Sequence, residues 1–177
     1  MTSNRIKKIV LFIASAVLCA FLYRHSPRKI EFLGHYDKIG SHRVNTLDKL
    51  ENINRWLGGN KVTLFGLQSI LKKHPKEQEI TIVDIGCGHG DILRDVAKFG
   101  RKNGYNFKLI GVDANPTAIH YANELSVNFP ELSFKTEDIF SDDFQKREFD
   151  VVLATLFLHH FKEIELIPFL DKILLQT

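Results

Sequence analysis

The chain has 177 residues, 44% of them hydrophobic and 25% charged, so it lies in the globular range and can bury one sizeable core. Its formal net charge of +3 arises in the first 43 residues, and the remaining 134 hold sixteen Lys and Arg against nineteen acids, which speaks against a nucleic-acid partner. Cys19 and Cys87 lie far apart, so no disulfide framework or cysteine-rich metal site is indicated and a reducing compartment fits.

An uncharged apolar run over residues 9–23, IVLFIASAVLCAFLY, lies between basic flanks near the start of the chain. Its fifteen residues are fewer than the roughly 20 of a membrane-spanning helix, and no small-residue cleavage pattern follows it. Three interpretations stay open: an uncleaved membrane anchor, an interfacial segment, and a stretch unrelated to the fold. We therefore assign residues 1–43 to a basic and hydrophobic segment, and expect a cytoplasmic protein with a candidate membrane association through this run.

Two amphipathic helices are predicted next, over residues 44–57 and from about 63 to 73, before a polar linker around Pro75. They open a second unit, residues 44–177. The helices precede the predicted sheet in the sequence. We expect them to lie over its ligand-binding edge in the folded chain.

From residue 80 the hydrophobic period changes, and short apolar runs alternate with helical patterns. Strands are predicted over 80–85, 107–113, 132–138 and 149–157, and helices over 91–103, 116–128 and 161–175. Strands separated by helices of this length imply right-handed βαβ units. The predicted fold class is therefore α/β, a doubly wound parallel sheet of the Rossmann-like kind.

The first of these strands runs into three glycines at alternate positions, in TIVDIGCGHGDIL (residues 81–93). Gly86, Gly88 and Gly90 let the backbone approach a ligand closely, and the helix that follows points its free N–H groups at the same space. The pattern is G-x-G-x-G, whereas a dinucleotide fingerprint requires G-x-G-x-x-G. Asp91 stands in the place of the later glycine, where a pyrophosphate would meet a carboxylate.

Acidic residues also end the next two strands. Asp113, in GVDAN, can accept hydrogen bonds from both hydroxyls of a ribose, a feature that nicotinamide and adenosylmethionine sites share. Asp138, in EDIF, is placed where an adenine amine could be bound, with Ile139 available to pack on the ring. The simpler interpretation of Asp138 is a helix N-cap.

Four stretches, VDIGCGHGD, GVDANPTAI, EDIF and FDVVLATLFLHHF, resemble in order and spacing the motifs of class I S-adenosylmethionine-dependent methyltransferases of the small bacterial type. The resemblance covers about residues 44–175. It implies S-adenosylmethionine as the cofactor, with its methionine part beside the glycines, its ribose on Asp113 and its adenine beside Asp138. The cofactor-binding residues expected on this basis are Asp84, Gly86, Cys87, Gly88, Gly90, Asp113, Ala114, Asp138 and Ile139.

The fourth strand leads into His159 and His160, which are candidates for the substrate side of the site. A histidine there could take a proton from a hydroxyl acceptor, or both could simply shape the pocket wall. No spacing supplies a third metal ligand, so no metal is predicted. We expect methylation of a small organic acceptor, on oxygen first; the alternatives are a nicotinamide-dependent oxidoreductase and a non-catalytic nucleoside-binding remnant.

The resemblance also implies a sheet of seven strands in the order 3-2-1-4-5-7-6, of which this sequence supplies candidates for the first four. The expected order is therefore 3-2-1-4, with an apolar fourth strand at an open edge. A truncated gene product, a partial sequence and completion by a partner chain would each account for this. A chain ending at Thr177 is expected to have weak stability and little turnover.

Overall fold

The structure, a computed structural model, describes residues 9–11, 59–72, 74–155 and 168. In chain order its elements are β1 (Ile9–Leu11), α1 (Gly59–Leu71), β2 (Ile80–Ile85), α2 (Asp91–Asn103), β3 (Phe107–Asp113), α3 (Pro116–Leu125), β4 (Leu132–Thr136), α4 (Asp142–Gln145) and β5 (Val151–Leu153).

Five strands form one parallel sheet in the described part of the chain, in the order β1-β5-β2-β3-β4. The four predicted strands lie in the predicted order 3-2-1-4, so the Rossmann-like α/β fold is confirmed. The pairing register sets Asp84 of β2 level with Gly111 of β3 on one side and with Leu153 of β5 on the other. The loops that follow these strands therefore leave the sheet at a common carboxyl edge.

The edge beside β5 is not open, which corrects the expectation from the sequence. Ile9–Leu11 pairs in parallel with Val151–Leu153 and occupies that edge. The physical reason is that the backbone N–H and C=O groups of an apolar central strand need partners, and an extended Ile-Val-Leu stretch can provide them.

The membrane-anchor interpretation of residues 9–23 is not supported. The first three residues of this run belong to the sheet, and the others lie outside the described residues. Within the described part of the chain, no helix has the length and apolar character needed to cross a bilayer.

Hydrophobic side chains are buried on both faces of the sheet, which explains the nearly continuous apolar strands. Successive residues of a strand point to opposite faces, so Ile82 packs with α1 and α2 while Val83 packs beneath α4. The first face buries Leu67 and Leu93 among others. The second buries Phe144.

The bounds of β2, α2 and β3 are those that the sequence predicts, and the later elements are shorter. α3 ends at Leu125 rather than 128 because the Ser126 N–H donates to the Asn123 carbonyl, which tightens the last turn, and Phe129 N–H donates to Ser126. The predicted helices over 44–57 and 161–175 lie outside the described residues, except for residue 168. The boundary placed at residue 43 lies outside them too and stays a prediction.

Candidate functional site

The loop between β2 and α2 has the backbone conformation that the alternating glycines predict. Gly86, Gly88 and Gly90 have φ angles of 69°, 54° and 77°, in the left-handed region that side chains avoid. A Cβ on Gly88 would meet no described residue within 4 Å, whereas one on Gly90 would lie 2.5 Å from the ring of Phe134. The loop thus packs tightly against the sheet at Gly90 and borders open space at Gly88, beside the N-terminus of α2.

Asp113 lies beside this loop, as the strand order predicts. Its Oδ2 accepts a hydrogen bond of 2.9 Å from the Gly88 N–H, and its Oδ1 accepts one of 2.8 Å from the Asn115 N–H. These two bonds fix the carboxylate at the end of β3 and still leave lone pairs on both oxygens. The arrangement can accept further hydrogen bonds from a ligand that carries hydroxyls.

Asp84, the next-to-last residue of β2, is 2% exposed, and its Oδ1 has no hydrogen-bond partner among the described residues. Burial raises the pKa of this carboxyl well above its ordinary value, and the charges of Asp91 and Asp113 raise it further. A buried carboxylate oxygen without a donor costs free energy, which a cationic or N–H-bearing ligand group would recover.

Thr155 is a site residue that the sequence analysis did not identify. It follows β5 by two residues, at the same carboxyl edge as Asp84; it is 7% exposed, and its Oγ1 likewise has no partner among the described residues. The available signal was a lone hydroxyl residue in the apolar stretch that ends the fourth strand.

Asp138 and Ile139 lie beyond the end of β4, two and three residues after Thr136, which pairs with Asp113. Asp138 is exposed, and its Oδ1 accepts a 2.9 Å hydrogen bond from the Phe140 N–H. The N-cap interpretation of Asp138 is wrong, because the cap of α4 is Ser141, whose Oγ accepts from the Phe144 N–H. Ile139 packs partly buried against the core on that face.

The remaining candidates divide into three groups. Cys87 is buried in the glycine loop, where burial and the charges of Asp84 and Asp113 raise the pKa of its thiol, so it fills space rather than reacts. Ala114 is exposed at the end of β3. His159 and His160 lie outside the described residues.

These features fit a ligand with a cationic centre and a ribose. Gly88 borders space that no described residue fills within 4 Å, and the buried Oδ1 of Asp84, four residues earlier, has no donor in the described part of the chain. A dinucleotide would instead bring its anionic pyrophosphate to the N-terminus of α2, where the carboxylate of Asp91 would repel it.

Comparisons with known proteins identify the family of this chain. The sequence model of a family described as "Methyltransferase domain" matches residues 76–176. No curated protein matches the sequence.

Solved structures of the plantazolicin methyltransferase BpumL are similar to this chain. One, in complex with a pentazolic desmethylPZN analog and SAH, has 29% identity over 76% of this chain and 47% of that chain, with a TM-score of 0.54. Another, with a triazolic analog and SAH, has 30% identity over 71% and 45%, with a TM-score of 0.50. The predicted cofactor, S-adenosylmethionine, agrees with the SAH in both.

The CurJ carbon methyltransferase, at 22% identity over 64% of this chain and 30% of that chain, with a TM-score of 0.55, shows the same fold. This chain thus spans less than half the length of each of these structures. Because the family model matches more than half of the sequence, on the fold that the resemblance implied, the chain belongs to the methyltransferase-domain family.

Proposed function

We propose that this protein binds S-adenosylmethionine at the carboxyl edge of its sheet and transfers the methyl group to a small organic acceptor. The observation that carries the proposal is the buried Oδ1 of Asp84, which no described residue satisfies and which precedes a glycine loop that borders open space at Gly88. An anionic ligand group would leave this buried acid without compensation, whereas a cationic or N–H-bearing group would stabilise its ionised form.

Each part of the cofactor has residues to hold it in this proposal. The loop from Gly86 to Gly90 and Asp84 border the amino-acid part, Asp113 accepts from the ribose hydroxyls, and Asp138 with Ile139 lies beside the adenine. Asp113 is well suited to this task because two backbone N–H groups already fix its orientation.

Bound S-adenosylmethionine supplies a methyl group that is activated by its sulfonium. The protein therefore needs chiefly to hold the acceptor and the cofactor in line, so that positioning provides most of the acceleration. For a hydroxyl acceptor, His159 or His160 is the proposed group that takes the proton. A cytoplasmic location belongs to the proposal, because the cofactor is made there.

A non-catalytic protein that keeps only the nucleoside pocket is the second candidate. The contacts described above concern the cofactor alone, through the Asp84 carboxyl, the Gly88 loop and the Asp113 carboxylate, and this candidate requires nothing more. The two candidates differ in one outcome, because the non-catalytic protein would bind the cofactor and transfer its methyl group to no acceptor.

Calorimetric titration of the folded protein with S-adenosylmethionine, S-adenosylhomocysteine and NAD tests the proposal. We expect both adenosyl compounds to bind and NAD not to bind. Asp113→Ala should weaken binding by about tenfold or more, the value of a charge-assisted hydrogen bond to a ribose.

Asp150→Ala is the matched control for that variant. The Asp150 Oδ2 also accepts a backbone hydrogen bond, 2.8 Å from the Thr81 N–H, but at the opposite edge of the sheet. The Asp150→Ala variant should have a lower melting temperature than the wild type and an unchanged cofactor affinity. Folded protein that takes up neither adenosyl compound would overturn the proposal.

A further inference from the structure

Asn60, the second residue of α1, makes the contact on which this inference depends. Its side chain is buried, at 6% exposure. Its Nδ2 donates to Asp91 Oδ2 at 3.2 Å and to Asp95 Oδ2 at 2.9 Å. These two acids lie four residues apart on α2, so one neutral amide bridges two carboxylates on the same helix face.

The other end of α1 is attached at the opposite edge of the sheet. The Tyr105 hydroxyl donates to the carbonyl of Leu71, the last residue of α1, at 3.2 Å. Between the two attachments the side chain of Leu67 is buried in the core against the sheet, and the side chain of Leu71 is buried there as well. α1 therefore runs alongside α2, with Asn60 at the edge that carries the glycine loop.

Asp91 connects Asn60 to that loop. It directly follows Gly90, the N-cap of α2, and its charge acts on Asp84. Asp95, the second carboxylate, is also held by Lys98, whose Nζ lies 3.0 Å from its Oδ1. Asn60 thus holds both the first turn of α1 and the carboxylate of the residue that directly follows the glycine loop.

We propose that Asn60 is a positioning residue for the cofactor, holding the start of α1 and the Asp91 carboxylate as one wall of its amino-acid end. The inference rests on the proposed function. It predicts an effect confined to ligands that carry the amino-acid part. Adenosine, which lacks that part and is assigned to Asp113 and Asp138, should not sense the change.

The test measures dissociation constants for S-adenosylhomocysteine and adenosine by calorimetry, and melting temperatures, for each variant. Asn60→Ala should weaken S-adenosylhomocysteine by about tenfold, as expected for charge-assisted hydrogen bonds, and leave adenosine within about twofold. Tyr105→Phe is the matched control: it removes the other attachment of α1 and should change the melting temperature without changing either affinity.

Two further variants separate the amide donors from shape. Asn60→Asp keeps the shape but removes the donors at neutral pH and adds a third carboxylate, so it should bind S-adenosylhomocysteine no better than Asn60→Ala. Asn60→Gln keeps the donors and should bind more tightly than Asn60→Ala. It also keeps the test usable if Asn60→Ala does not fold.

Equal weakening of both ligands in Asn60→Ala, or of neither, would overturn the inference, as would wild-type affinity in Asn60→Asp. An Asn60→Gln affinity as low as that of Asn60→Ala would also count against it. Failure of the wild-type protein to bind S-adenosylhomocysteine and S-adenosylmethionine would instead overturn the proposed function, so the two failures are distinguishable.

Discussion

The two edges of the parallel sheet differ in how completely the described residues satisfy their buried polar groups. At the amino edge, Arg101 donates to both carboxylate oxygens of Glu131, at 2.7 and 2.8 Å. Asp150 accepts a backbone N–H there as well. At the carboxyl edge, Asp84 and Thr155 are buried with an oxygen that no described residue satisfies.

Aromatic rings also stabilise the amino edge. At the amino edge Tyr105 stacks between Phe99 and Phe107, with ring centroids 5.9 and 5.4 Å apart, and Lys76 lies over its ring. The carboxyl edge instead has the open space beside Gly88. Among the described residues, the acids of the amino edge have partners, whereas the carboxyl edge keeps two buried oxygens, on Asp84 and Thr155, that a bound ligand could satisfy.

The largest loss of stability is expected from substitution of the glycines at the two ends of α2. Gly90 and Gly104 have φ angles of 77° and 73°, but an added Cβ meets Phe134 at Gly90 and open space at Gly104. Gly104→Ala should cost about 1 kcal/mol from backbone strain, and Gly90→Ala about 3 kcal/mol from strain plus the clash. Urea denaturation measures both, and equal costs would contradict the tight packing at Gly90.

The substitution Asp84→Asn tests the carboxyl edge through the pH dependence of the protein's stability. The pKa of Asp84 is raised in the folded protein, whereas in the unfolded chain it is near the ordinary value of 3.8. At pH values between these two pKa values, the folded state keeps the proton that the unfolded state has lost. Wild-type stability contributed by this group is therefore present below the unfolded pKa and is lost as the pH rises toward the folded pKa.

Asn carries no charge, so Asp84→Asn should be more stable than the wild type at pH 7.5, by about 1 kcal/mol or more, with no such advantage at pH 4. The same variant should bind S-adenosylmethionine more weakly. Denaturation at several pH values measures the first effect and calorimetry the second. A variant less stable than the wild type at neutral pH would show that the carboxyl is satisfied after all.

The smallest effect is expected from Glu131→Gln at the amino edge. The hydrogen bond from Arg101 lowers the pKa of Glu131, so the contribution of this pair is present above the ordinary value of 4.5 and is lost on acidification. The pair is exposed, so we expect a small loss of stability that largely disappears in about 0.5 M salt. Cofactor affinity should stay unchanged, and a change would show that the two edges are coupled.

Local pattern predicted the centre of the fold well. β2, α2 and β3 have the bounds that the sequence indicates, because the hydrophobic period changes sharply there and glycines at 90 and 104 flank α2. The same reasoning brought Asp113 to the glycine loop, since parallel strands end at a common edge.

What local pattern missed depends on contacts between distant residues. Nothing near Asn60 indicates that its amide lies between two carboxylates some thirty positions later. Thr155 draws attention only once its burial without a donor is known. The pairing of Ile9–Leu11 with β5 was missed because an apolar run suits a membrane, a helix or a strand equally well.

That pairing has a consequence for how the protein is made. Ile9 and Val151 are partners although about 140 residues separate them, and closing such a long loop is entropically costly and slow. A nascent chain on the ribosome cannot complete this side of the sheet until the residues of β5 have left the exit tunnel. Until then the Ile-Val-Leu stretch lacks its native neighbour, and its backbone N–H and C=O groups stay without the partners that the finished sheet provides.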